Sequence, residues 1–76
     1  MTDKQTKQTR CRIGKLISAY RSEQGMTQQQ LANNVGISRE HLGRIEAGRN
    51  SVGIDILEGI AKALGKEVSL IEMGSQ

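Results

Sequence analysis

Apolar residues recur along this chain at spacings of three and four, and glycine breaks the pattern at intervals. Ile13, Leu16, Ile17 and Tyr20 fall at i, i+3, i+4 and i+7, one stripe of an α-helix, and predict a first helix over 10–24. Gly25 supplies a left-handed stop. Thr27 then offers a capping hydroxyl, and Gln30 three residues on completes a capping box, so a second helix opens there. Leu31, Ala32 and Val35 form its inner face and Gly36 ends it; Asn33 and Asn34 are poor helix formers and keep it short. Ser38 is a second cap, and a third helix runs about 39–47 with Leu42 and Ile45 inward and Gly48 as its stop. After a loop at 49–53, a fourth helix runs about 54–64 with Ile54, Leu57, Ile60, Ala61 and Leu64 inward, ended by Gly65.

The two ends read differently. Residues 1–9 carry no apolar side chain after Met1 and are expected to form a disordered tail. In 66–73, Val68 and Leu70 alternate with Glu67 and Ser69, as in a strand, while Ser69 with Glu72 would frame a very short helix instead. A lone strand leaves its backbone groups unpaired, so it needs a partner, most simply the same segment of a second chain. The chain thus divides into a tail at 1–9, a helical domain at 10–65, and a dimerisation segment and tail at 66–76.

Composition narrows the function. Seventeen Ile, Leu and Val residues in 76 support one small folded domain, and a net charge of +3 is too small to hold the chain open. One Tyr, with no Phe or Trp, argues against stacking single-stranded bases on aromatic rings. Cys11 and His41, the lone Cys and His, lie far apart and make no zinc site; no cofactor is implied. Without a carboxylate pair or a glycine-rich phosphate loop, an enzyme is not expected. No apolar run approaches the roughly 18 residues of a membrane span and no signal peptide pattern opens the chain, so a reduced, cytoplasmic setting is expected. Residues 1–49 carry nine Lys or Arg against four acids, and residues 50–76 two Lys against four acids. A basic front and an acidic back suit a chain that turns one face to a polyanion.

The informative block is 27–49, TQQQLANNVGISREHLGRIEAGR: two short helices joined by the tight turn Val35-Gly36-Ile37-Ser38. Ala32 is small enough for the next helix to cross close to its backbone, and Gly36 can take the positive φ the turn needs. Leu31, Val35, Ile37, Leu42 and Ile45 would lock the two helices at a fixed angle, leaving Arg39, Glu40 and Arg44 on the outer face. A helix of about 10 Å diameter fits the DNA major groove. Arginine there can bond guanine O6 and N7, and Glu40 can accept from cytosine N4.

Residues 13–65 resemble the helix-turn-helix domain of phage Cro and repressor proteins, shared by bacterial regulators of the xenobiotic-response-element type. The resemblance lies in IGKLISAYRSEQGMTQQQLA, VGIS, RIEAGR and IAKALG. It implies a compact, all-α, lambda-repressor-like bundle of four or five helices containing a helix-turn-helix. It implies base reading by Arg39, Glu40 and Arg44, a phosphate anchor at Gln28, flanking contacts from Ser38 and His41, and a backbone-contacting loop at Arg49 and Asn50. It also implies a partly buried pair, Arg21 with Glu46, tying the first helix to the third. The chain departs from the family in having Gly43 inside the third helix and Val52-Gly53 where the loop commonly carries Pro. The 66–73 segment stands where a fifth helix is usual.

The function implied is sequence-specific binding of double-stranded DNA by a homodimer at a near-palindromic operator, as a transcriptional regulator, in the main a repressor, associated with the nucleoid when bound. The alternative is an antitoxin that binds a toxin protein and autoregulates its operon.

Overall fold

A computed structural model describes residues 6–69. Four helices follow in order: α1 (Lys7–Glu23), α2 (Gln28–Val35), α3 (Arg39–Glu46) and α4 (Ile54–Ala63). α1 packs on α3, and α2 packs on both α3 and α4. Ile17, Leu31, Ala32, Leu42, Ile45, Val52, Ile60 and Leu64 fill the space between them. All four helices lie where the 3.6-residue pattern puts them.

α1 begins earlier than the apolar stripe suggests. The expected tail reaches residue 9, but Thr6 caps the helix by accepting from the Thr9 N–H at 3.1 Å, and Lys7, Gln8 and Thr9 are helical. One turn on, Arg10 Nε donates to the Gly48 carbonyl oxygen at 3.0 Å, which ties this polar turn down against the end of α3. Of the expected tail, residues 1–5 lie outside the described residues.

Two residues expected inward are exposed. Leu16 is 50% exposed because the buried line of α1 runs through Gly14 and Ile17, with Ile13 and Tyr20 at its margin. Ile54 is 65% exposed because it opens α4 beyond the reach of α2; Leu57, Ile60, Ala61 and Leu64 make the inner face. Val52, which the pattern leaves in a loop, is buried and closes the core from below α4. Residues 66–69 are exposed and form neither helix nor strand, so the expected strand is absent from them; the rest of it, 70–73, lies outside the described residues. Lys66 Nζ sits 4.5 Å from the centroid of the Tyr20 ring, holding this segment near α1.

The α1–α3 contact depends on Gly14. A Cβ there would lie 2.5 Å from the Ile45 carbonyl oxygen, so only a bare backbone lets the end of α3 come this close. Ala32 is fully buried in the core on the inner face of α2.

Candidate nucleic-acid interface

The turn that launches α3 is built from local hydrogen bonds. Gly36 takes φ of 88°, and the N–H groups of Gly36 and Ile37 both donate to the Ala32 carbonyl oxygen, at 2.8 and 3.1 Å. Ser38 adopts extended backbone and its Oγ accepts from the His41 N–H at 3.0 Å, which starts α3 and leaves the hydroxyl proton free to donate outward. α2 opens on the complete capping box foreseen from Thr27 and Gln30, with both bonds formed at 3.0 and 2.8 Å.

α3 turns Leu42 and Ile45 into the core. Its other side carries Arg39, Glu40 and Arg44, all exposed, with His41 half-buried at one flank. Arg39 Nη2 and Glu40 Oε2 lie 3.8 Å apart, with their side chains 51% and 67% exposed. So open a pair is screened by water and adds little stability, which leaves both groups available to another polar partner.

Arg44 is oriented from the loop that follows. With the Asn50 amide turned to satisfy both its atoms, Asn50 oxygen accepts from Arg44 Nε at 3.2 Å and its nitrogen donates to the Arg49 carbonyl oxygen at 3.2 Å. The Arg49 N–H itself donates to the Arg44 carbonyl oxygen at 2.9 Å, so this loop and the last turn of α3 form one unit. The Arg49 side chain is exposed beside it. Asn50 was singled out from the resemblance as a backbone contact; its setting of Arg44 was not foreseen, since it depends on how the loop folds back.

A second cluster lies where α1, α2 and α3 meet. Arg21 Nε and Nη2 donate to the two carboxylate oxygens of Glu46 at 2.8 and 3.1 Å, and Nη1 donates to the Met26 carbonyl oxygen at 2.8 Å. The two side chains are only 16% and 6% exposed. Glu46 also accepts from Gln28 Nε2 at 3.1 Å. The Arg21–Glu46 pair expected between the first and third helices is therefore formed, with Gln28 as its third member. The hydrogen bond to Glu46 raises the Arg21 pKa above the usual arginine value; burial opposes this, and the carboxylate charge adds to it. A raised pKa on a cation means that its contribution is complete below the unfolded value and fades only as pH climbs through the folded one, far into alkali.

Gln28, expected to anchor on phosphate, thus spends one amide N–H on Glu46. A carboxylate only accepts, so it fixes which end of the amide is nitrogen and does not engage Oε1 or the second N–H. Arg39, Glu40, Arg44, Ser38 and Gln28 share one side of the molecule through α3 and the opening turn of α2. Among the described residues no group of His, Cys, Asp and Glu is placed to hold a metal ion, and no helix is long and apolar enough to cross a membrane.

A family model described as "Helix-turn-helix" matches residues 17–71. Over 59 residues the chain is 42% identical to the immunity repressor protein of Bacillus phage phi105, an alignment spanning 78% of this chain and 41% of that repressor. Over 52 residues it is 42% identical to an uncharacterized HTH-type transcriptional regulator of Methanothermobacter thermautotrophicus, covering 68% of this chain and 75% of that one. The chain therefore spans about two fifths of the phage repressor but three quarters of the Methanothermobacter regulator. Among solved structures, the restriction-modification controller protein C.AhdI from Aeromonas hydrophila superposes with a TM-score of 0.76 at 27% identity, over 78% of this chain and 89% of that one.

Proposed function

The chain belongs to the Cro/C1-type helix-turn-helix family, and from that premise we propose that it binds duplex DNA as a homodimer and regulates transcription, in the main by occupying promoter DNA. The observation that carries this reading is the outer face of α3: two exposed arginines on a helix whose entry and exit are both fixed by hydrogen bonds. In this reading Arg39 and Arg44 meet guanine edges in the major groove, and Glu40 accepts from cytosine while its charge disfavours misplaced phosphates. Ser38, the free N–H of Gln28, and Arg49 meet the phosphate backbone, and His41 flanks the groove. Asn50 acts through Arg44 as well as beside the backbone.

Selection of bound sequences from random duplex DNA tests it. A symmetric pair of half-sites about 34 Å apart is expected, matching a twofold protein. Recovery of no preferred sequence, with no retention of any duplex at low salt, would defeat the reading. On the selected operator, Arg39→Ala should cost about 1–3 kcal/mol and relax choice at one base pair. An equal loss on random DNA would make Arg39 a phosphate contact instead.

The dimer is supported by apolar surface on one side of the domain. A groove of about 370 Å³ runs between α1 and α4, floored by Ile17, Ile60 and Leu64, with Leu16 and Val68 at its rim. Among the described residues Leu16, Val68 and Ile54 are the large apolar side chains left exposed; Leu16 and Val68 border this groove, and a second copy of the chain would cover them. Sedimentation at micromolar concentration should give a dimer. A monomer both with and without operator DNA would remove the twofold arrangement.

A further inference from the structure

α3 contains a glycine that the fold does not use. Gly14 is needed for a close helix contact, and Gly36 and Gly48 take positive φ. Gly43 does neither: its φ is negative, and a Cβ built on it meets only the Gln28 side-chain amide, at 3.9 Å, an ordinary contact. Glycine inside an eight-residue helix weakens it, and nothing among the described residues offsets the loss. The bare position lies one turn beyond Arg39 and next to Arg44, at the edge of the proposed reading face that borders α2. It forms a notch one carbon deep, with the Gln28 amide as its wall. That wall is held still, because Gln28 Nε2 is bonded to Glu46 and Glu46 to Arg21.

Resting on the proposed DNA-binding function, we infer that Gly43 is a specificity-determining position whose notch receives the C5 methyl group of a thymine. The space left by a missing Cβ is one carbon in size. Its floor is helical backbone whose polar groups are engaged in the helix and offers no donor or acceptor to a base edge; the Gln28 amide stands to one side, with both Nε2 and Oε1 3.9 Å from the missing carbon's place. Among the groups that base pairs present in the major groove, the thymine methyl is the apolar one. Contact there rewards thymine over cytosine, and filling the notch from the protein side excludes the methyl.

The test exchanges one carbon between protein and DNA. The full chain and its Gly43→Ala variant are titrated against the selected operator and against duplexes in which each thymine is replaced in turn by deoxyuridine. Gly43→Ala should melt higher, by roughly 4–8 °C, since alanine is the better helix former and meets no obstacle. It should nevertheless bind the thymine operator about tenfold more weakly, within the range of one base contact. Deoxyuridine at one position per half-site should weaken the unsubstituted protein and restore binding by the variant. Equal binding by both proteins to thymine and uracil duplexes at every position would overturn the inference while leaving DNA binding intact. So would a melting temperature lowered by Gly43→Ala, which would show that the fold needs this glycine. Failure of the unsubstituted chain to bind any duplex would instead defeat the functional reading, and the notch with it.

Discussion

Replacing Glu46 by alanine should lower the melting temperature by roughly 12–24 °C, a loss of about 3 kcal/mol, more than any substitution on the outer face of α3. The size follows from what is left behind. Arg21 keeps its bond to the Met26 carbonyl oxygen, but Nε and Nη2 lose both carboxylate partners in a place where little water reaches them. A buried charge stripped of its counter-ion costs far more than the pair contributes over an apolar substitute of similar size. Gln28 loses its acceptor as well, so the opening turn of α2 loosens with the α1–α3 junction. Thermal melts of Glu46→Ala, Arg21→Ala and the double variant give the coupling directly. The double variant should lose much less than the two single losses added together. Simple additivity would show that the two side chains do not depend on each other. The Glu46 carboxylate bonds Arg21 and Gln28 rather than Arg39 or Arg44, so selection on random duplexes well below the melting temperature should still return from Glu46→Ala the preference at the base pairs those two arginines are proposed to read.

The local architecture was legible because its signals are local. The Thr27–Gln30 box, the Ser38 cap and the Gly36 turn each act within four residues, and each forms as read. The outer position of Arg39, Glu40 and Arg44 follows from the burial of Leu42 and Ile45 by helical geometry alone. What could not be read depends on neighbours distant in sequence. A stripe of apolar residues shows which side of a helix turns inward but not how far its neighbour extends, so Leu16 and Ile54 looked buried and are not. Val52 carries no periodic signal, yet the loop drops it into the core. Thr6 lies beyond the reach of the apolar pattern, and its cap extends α1 into a polar run. The Gln28–Glu46 and Asn50–Arg44 bonds arise only after the helices meet and the loop folds back, so residue type alone could nominate their members but not join them.

Gly14 and Gly43 both sit inside helices, and alanine at each should shift stability in opposite directions. At Gly14 the gain in helix propensity is about 1 kcal/mol. Against it, the new Cβ would stand 2.5 Å from the Ile45 carbonyl oxygen and closer still to that of Glu46. Those atoms are backbone at the end of α3 and cannot rotate aside, so the helices must part, at a cost at the upper end of core overpacking, about 3 kcal/mol or more. The net loss for Gly14→Ala is then about 2 kcal/mol, a fall in melting temperature of roughly 8–16 °C. The displacement also reaches function, because Glu46 belongs to the same turn and Arg44 lies just before it; operator affinity should fall along with stability. Gly43→Ala has the same propensity gain and meets only a side-chain amide at ordinary distance, so its melting temperature should rise. Melting the two variants side by side separates helix propensity from helix spacing. Shifts of the same sign would mean that α1 and α3 can move apart freely, and that the closeness of their backbones does not set the angle at which α3 is presented.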